Sequence, residues 1–265
     1  MAKQDSIFKV FGVTGLLCFV CSLLVCTAVV SLKSLQEQSI KVDRELSILA
    51  AADVSVADGQ KVSDVYAQNI EARLLDVATG EFVPAQEVAN VAGAGVTADD
   101  FDFVSNSKLA GKNITLSADA DLAKIRQISK YMPVYLVKSA GGYSKVILPF
   151  YGQGLWSVMY GYLALSTDGN TILGVKYYSH GETPGLGAEI ENPNWTQKWQ
   201  QKKIFYANGA VEFAVLKKVE KPEYQVDALS GATLTSDGVS RSVRFWASES
   251  GYGKFLQNIQ KNGVK

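Results

Sequence analysis

Outside one apolar stretch near its start this chain has no cysteine: Cys18, Cys21 and Cys26 all fall between positions 10 and 32 of 265 residues. It has a single histidine, His180. The body of the chain therefore offers no thiol for a disulfide, an iron–sulfur cluster or a cysteine nucleophile, and no second imidazole to share a metal. Redox chemistry here would need an organic cofactor. An excess of either charge is also missing, with 26 basic against 26 acidic side chains, so no broad field attracts nucleic acid. At 47% hydrophobic and 20% charged residues, the composition is too apolar for a disordered chain.

Charge is absent altogether from Val10 to Leu32. As a helix at about 1.5 Å per residue this run is roughly 34 Å long, enough to cross a hydrocarbon core of about 30 Å. It exceeds the apolar core of about 7–15 residues of a cleaved signal peptide, and Val29-Val30-Ser31 is a marginal cleavage site, so an uncleaved single-pass anchor is expected. Within it the cysteines act as small hydrophobes. Lys3 and Lys9 on one side nearly balance Lys33, Lys41 and Arg44 on the other. The expected organisation is a short cytoplasmic tail over 1–9, a membrane helix over 10–32 and an extracytoplasmic domain over 33–265.

Leu32, Leu35, Val42, Leu46 and Leu49 recur at three-, four- and seven-residue intervals, which extends the helix with one apolar stripe suited to packing on the domain or a partner. A second helix begins near Val62, with Val62, Val65, Tyr66 and Ile70 on its face, and gives way to a strand and turn over Arg73–Val83 around Thr79-Gly80. Residues 84–130 read as loop with short helical pieces, one near Asp121–Ser129. The pattern then turns to strands at Val134–Lys138, Lys145–Phe150, Ser157–Leu165 and Thr171–Tyr178, joined by turns at Gly141-Gly142 and Asp168-Gly169-Asn170, an antiparallel meander. Lys203–Tyr206 and Val211–Leu216 are further strand candidates before a helix over Leu234–Ala247. The order predicts an α+β chain: one transmembrane helix, then one domain with a twisted, mainly antiparallel sheet and flanking helices.

Three segments could carry chemistry. In Asp227-Ala-Leu-Ser-Gly-Ala-Thr-Leu-Thr-Ser236 small residues surround Thr233 just where a helix begins. Backbone N–H groups and the helix dipole favour an anion there, although a plain hydroxyl N-cap has the same appearance. In Ser179-His-Gly-Glu-Thr-Pro-Gly-Leu-Gly187, Pro184 fixes φ while Gly185 and Gly187 allow close backbone approach to a flat ligand, or simply make a long turn. No βαβ pattern follows, so this is not a Rossmann fingerprint. In Tyr151-Gly-Gln-Gly-Leu-Trp-Ser157 an apolar and aromatic pair precedes a strand; it suits a pocket wall, but on residue type alone a core tryptophan is the stronger expectation.

Together the three segments resemble the C-subunit family of sodium-translocating NADH:quinone oxidoreductases, within the FMN-binding domain family. The likeness is strongest over Gly152–Trp195 and Asp227–Ser236. In that family the pattern Asp/Asn-x-x-Ser/Thr-Gly-Ala-Ser/Thr accepts a covalent flavin, and DALSGAT matches each fixed position. The resemblance implies FMN joined to Thr233 by a phosphoester bond made by a magnesium-dependent flavin transferase, with Ser230, Gly231, Ala232 and Thr235 around it. It implies that Leu155, Trp156 and Leu186 give the ring apolar contact. Glu182, Thr183 and the backbone at Gly185 and Gly187 would hydrogen-bond the ring edge or ribityl chain, and Lys217 would neutralise the reduced ring or the phosphate. His180 is expected to shape the loop. No residue is catalytic apart from the flavin, and no metal is bound.

The implied role is electron carriage in a six-subunit complex of the cell inner membrane that oxidises NADH, reduces ubiquinone and exports sodium, with the soluble domain periplasmic, in contact with lipid and with no nucleic acid partner. The chain alone would have no complete activity. The G subunit of ferredoxin:NAD oxidoreductase complexes shares the anchor, loop and motif, but Gly154-Leu-Trp-Ser157, Met159-Tyr-Gly161 and Glu191-Asn-Pro193 with Trp195 favour the quinone reductase. The alternative of another class is a membrane-anchored binding or sensor module without covalent flavin.

Overall fold

The computed structural model describes residues 7–264. Lys3 and most of the short tail lie outside the described residues. The chain divides into two units, Met1–Glu45 and Leu46–Lys265. The first is the greater part of α1, a single helix spanning Ile7–Ala52, and its most apolar window has a mean hydropathy of 2.5 with none of it buried. It is long and apolar enough to cross a membrane. The hydroxyls of Ser22, Thr27 and Ser31 donate to carbonyls three or four residues earlier at 2.7–2.8 Å, which satisfies these polar groups inside the helix. Of the five stripe residues only Leu49 is buried. In the second unit Ile48, Leu49, Ala51 and Ala52 of the last turn pack with Val65, Tyr66, Tyr135, Ile147 and Tyr162.

The second unit contains α2 (Val62–Asn69), β1 (Ile70–Asp76), β2 (Glu81–Phe82), β3 (Asn113–Thr115), β4 (Gln127–Ser129), β5 (Tyr131–Ser139), β6 (Gly142–Gln153), β7 (Val158–Ser166), β8 (Ile172–Ser179), β9 (Ala214–Leu216), β10 (Gln225–Asp227), α3 (Thr233–Ala247) and α4 (Gly253–Asn262). The main sheet has six strands in the order β2-β1-β5-β6-β7-β8, all its pairings antiparallel. The expected meander is therefore present, β5 and β6 longer than their expected runs and β7 and β8 shifted by one residue. Phe150 sits opposite Gly161, whose missing side chain makes room for the ring: a Cβ there would lie 2.9 Å from the Phe150 ring.

Four expectations change. Ile70 opens β1 rather than closing a helix, because its backbone is extended and its strand pairs along β5 from Val137 to Tyr131. Asp121–Ser129 is a turn followed by β4, not a helix. The Asp121 carboxylate accepts the N–H groups of Ile125 and Arg126 at 2.8 Å, and Lys124 and Arg126 adopt φ of 56° and 67°, which no right-handed helix contains. Of the strand candidates after Tyr178, Lys203–Tyr206 contributes isolated bridges, and only Ala214–Leu216 is a strand, in parallel with the unexpected β10. Finally, α4 follows α3 across a turn in which Tyr252 donates its backbone N–H to Trp246.

The face of the sheet opposite α2 carries the larger core, and α3 lies on it. Its contact stripe alternates bulky Val239, Val243 and Trp246 with small Ser236, Gly238 and Ser242, so helix and sheet approach closely. A Cβ at Gly152 on β6 would lie 1.9 Å from the Ser242 hydroxyl oxygen. Trp246 Nε1 donates to the Tyr151 carbonyl and the Tyr252 hydroxyl to the Pro149 carbonyl, both at 2.7 Å, which fixes α3 and its flanking turn to β6. The position of the α3 N-terminus is thereby set from the far end of the helix.

Candidate functional site

Thr233 is the first residue of α3, a 15-residue helix whose N-cap is Ala232, without a side-chain cap. A helix start leaves up to four backbone N–H groups without intrahelical partners and carries about half a positive charge. The simple hydroxyl-cap reading does not hold: the Thr233 side chain is one position too late, and its hydroxyl has no hydrogen-bond partner among the described residues. The preceding loop is held instead by Ser236, whose hydroxyl oxygen accepts the Leu229 N–H at 3.0 Å, and by Gly231 at φ 73°, a conformation that favours glycine.

The centre of the site is Glu182, 4% exposed. One carboxylate oxygen accepts the N–H groups of Trp156 at 2.9 Å and Ser157 at 3.3 Å; the other accepts Leu155 N–H at 3.3 Å and the Thr235 hydroxyl at 2.5 Å. One side chain thus joins all three sequence segments: the β6–β7 hairpin tip, the loop after β8 and the first turn of α3. Two glycines are shaped around it. A Cβ at Gly154 would stand 2.6 Å from one carboxylate oxygen, and one at Gly187 2.9 Å from the other. Gly187 is thus required by protein packing, whereas Gly185, at φ 72° in open space, serves the turn.

Glu182 and Thr235, expected as cofactor contacts, have their polar atoms committed within the protein, and Thr235 is 1% exposed. Burial alone would raise the Glu182 pKa, but the Thr235 hydroxyl and the three backbone N–H groups outweigh it and hold the carboxyl below its ordinary value. Because the folded pKa is the lower one, this stabilisation is fully present above the unfolded glutamate value of ~4.3 and is lost as pH falls below it through the folded pKa. Glu182→Gln should therefore flatten the acid limb of a stability-versus-pH curve measured by denaturant unfolding. Glu71 and Asp168 are shifted in the same direction and leave part of that slope in the variant.

His180 shapes this loop through both ring nitrogens. Nδ1 accepts the Glu182 N–H at 3.1 Å, so it carries no proton, and Nε2 lies 3.1 Å from a Glu191 carboxylate oxygen. Ser157 adds a further tie, its hydroxyl oxygen accepting Gly181 N–H at 2.6 Å.

Around this buried frame the apolar residues face outward. Trp156 is 68% exposed, against the core position expected from residue type, and Leu155, Leu186 and Leu234 are also exposed. Leu186 reaches the loop before α3, since a Cβ on Gly231 would be 3.2 Å from its Cδ2. The Thr183 carbonyl accepts the N–H groups of Leu186 and Ala188, leaving its exposed side chain outside the turn. Ser230 is exposed beside Gly231. Lys217 stands apart: it follows β9, whose Leu216 carbonyl accepts Ala228 N–H, and its exposed side chain makes no ion pair among the described residues.

Three contributors were not among the expected site residues. Gly238 packs α3 on the hairpin tip, where a Cβ would meet the Gln153 carbonyl oxygen at 2.5 Å. Alanine in a helix interior normally gains about 1 kcal/mol over glycine. Overpacking against backbone costs about 1–3 kcal/mol, so Gly238→Ala should lower stability by roughly 1 kcal/mol net, read as a shift in denaturant midpoint. Trp195 and Lys198 hold Asp227 at two points, through its carbonyl at 2.8 Å and its carboxylate at 2.7 Å. Trp195, Lys198, Asp227 and Ser230 line an open cleft of about 460 Å³ beside the loop before α3.

Comparison with known proteins accounts for the arrangement. The FMN-binding domain family matches residues 154–248, a span that runs from the hairpin-tip glycine to the end of α3. Over 99% of its length the chain is 43% identical to the C subunit of the Na(+)-translocating NADH-quinone reductase of Vibrio parahaemolyticus, covering 99% of that protein. The chain belongs to the C-subunit family of Na(+)-translocating NADH-quinone reductases. The corresponding C subunit of Pasteurella multocida is 41% identical over 99% of this chain and 97% of its own. The crystal structure of Shewanella oneidensis NqrC superposes with a TM-score of 0.74 at 32% identity, covering 84% of this chain and all of that one. As a member of this family the chain is a membrane-anchored part of an oxidoreductase complex and contains an FMN-binding domain. The site fits that cofactor: an uncapped helix start suits a phosphate, and Leu155, Trp156, Leu186 and Leu234 offer apolar surface to a ring.

Proposed function

We propose that this chain holds FMN covalently on Thr233 and carries electrons within a six-subunit, sodium-pumping NADH:ubiquinone reductase of the inner membrane, its domain on the periplasmic side. The observation that supports this most directly is the Thr233 hydroxyl, without a hydrogen-bond partner among the described residues, at the uncapped start of α3, with exposed apolar side chains on the hairpin tip, the loop after β8 and α3 itself. Bound FMN would supply the one-electron chemistry.

Attachment requires FAD and a flavin transferase. The Thr233 oxygen bonds to the flavin-side phosphorus, the P–O bond of the pyrophosphate bridge breaks, AMP leaves and the hydroxyl proton passes to solvent. The phosphodiester retains a negative charge, which the α3 N–H groups and dipole stabilise. Thr183 and Ser230 are exposed and offer hydroxyls to the ribityl chain, and the exposed Lys217 would supply the positive charge that neutralises the reduced ring or the phosphate. Asp237, half-buried in the same helix, works against the phosphate.

Co-expression with the transferase, followed by intact mass and a peptide map around Thr233, tests the attachment. The expected result is an added FMN on the peptide containing Thr233; an unmodified mass refutes it. Sodium-stimulated NADH:quinone activity of the purified complex tests the assignment of the partner subunits. Ferredoxin-linked activity independent of sodium would instead support the other complex.

A further inference from the structure

Glu182 is an acidic side chain buried without a cation. Its four donors are neutral dipoles, three backbone N–H groups and the Thr235 hydroxyl, and among the described residues it forms no ion pair. The nearest imidazole, His180, meets it through an unprotonated Nδ1 that accepts the Glu182 N–H. Four converging donors require an acceptor-only group, which explains why a carboxylate stands here and not an amide. They also keep it ionised, in agreement with its lowered pKa. A full negative charge consequently lies under the hairpin tip and the first turn of α3, screened from water by the packing of Gly154 and Gly187. Charges in such surroundings act more strongly than exposed ones.

We infer that Glu182 is a positioning residue that also sets the reduction potential of the flavin: its carboxylate oxygens are committed to four protein donors, and its buried charge opposes the addition of an electron. This rests on the proposed FMN at Thr233. The step concerned is the uptake of one electron by the bound flavin from a neighbouring carrier, and the charge biases its equilibrium without exchanging any atom.

The test is potentiometric titration of the full-length, flavin-loaded chain, preceded by intact mass. Glu182→Gln removes the charge at nearly constant volume and is expected to favour the reduced form about tenfold, a positive shift of ~59 mV for one electron. Thr235→Ala removes one donor but leaves the carboxylate charged, and should give no positive shift. An unchanged midpoint in Glu182→Gln, or the same positive shift in both variants, overturns the inference, the latter by assigning the effect to loosening of the site. Should Glu182→Gln fail to fold, the unsubstituted chain decides. With glutamate carrying a carbon-13 carboxyl label, its reduced-minus-oxidised infrared spectrum should contain a label-sensitive band of an ionised carboxylate, and absence of that band overturns the inference. A wild-type chain without flavin by mass overturns the proposed function itself, and this inference with it.

Discussion

Thr233→Ala should carry no covalent flavin at all, while its stability stays within about 0.5 kcal/mol of the parent. The side chain is half-buried and without a hydrogen-bond partner among the described residues, so its loss removes little packing and no polar contact. Thr235→Ala, two residues on, should do the reverse. Its hydroxyl donates to an ionised carboxylate at 2.5 Å in a 1% exposed position, and a hydrogen bond to a charged group contributes ~1.5–3 kcal/mol. That variant should keep its flavin and lose stability. Thr233→Ser keeps a hydroxyl at the helix start and should remain modified. In-gel flavin fluorescence with intact mass reads the first property, and the denaturant midpoint at constant m-value the second. Flavin retained in Thr233→Ala would place the attachment elsewhere, with Ser230 and Thr235 the neighbouring hydroxyls to map.

What could be read in the sequence follows from how local each determinant is. The anchor, the β5–β8 meander and α3 are each announced by apolar periodicity and turn residues within one short window, and all are present. The place of Thr233 at a helix start was readable for the same reason, since a helix start is a local pattern. The roles of Glu182, Thr235 and Gly187 were not. Glu182 and Thr235 meet across 53 positions, and the sequence of neither segment states whether a carboxylate faces outward to a ligand or inward to four protein donors. Trp156 shows the same limit in the opposite sense. A tryptophan before a strand is ordinarily buried, but here Glu182 binds the backbone of the hairpin tip and the ring is left outside. Ile70 and Asp121–Ser129 failed where helix and strand patterns overlap. At Ile70 the long-range pairing of β1 along β5 settled the outcome, and at Asp121–Ser129 the local bonds from the Ile125 and Arg126 N–H groups to the Asp121 carboxylate did.

The largest loss of stability should come from Trp246→Ala, about 3–5 kcal/mol for deletion of a buried tryptophan. Trp246 is 2% exposed and sits between Tyr151 and Tyr252, with ring centroids 5.1 and 4.9 Å away, while its Nε1 donates to the Tyr151 carbonyl at 2.7 Å. The change removes ring packing on both sides and leaves the Tyr151 carbonyl, near the end of β6, without its donor. Trp246→Phe separates the two effects. It keeps most of the ring and loses the donor, and should cost ~1–3 kcal/mol, the usual penalty for an unsatisfied buried acceptor. A domain of marginal stability, with ~5–15 kcal/mol in total, survives the second change more readily than the first. The site should be affected at a distance. Trp246 lies at the opposite end of α3 from Thr233, and it is one of the contacts that hold the helix against β6, so a loosened helix moves Thr235 relative to Glu182. Hydrogen exchange at the Leu155, Trp156 and Ser157 amides, all donors to Glu182, should accelerate in Trp246→Phe even where the fold persists. Unchanged protection at those three amides would mean that the carboxylate holds the hairpin tip without help from the far end of the helix.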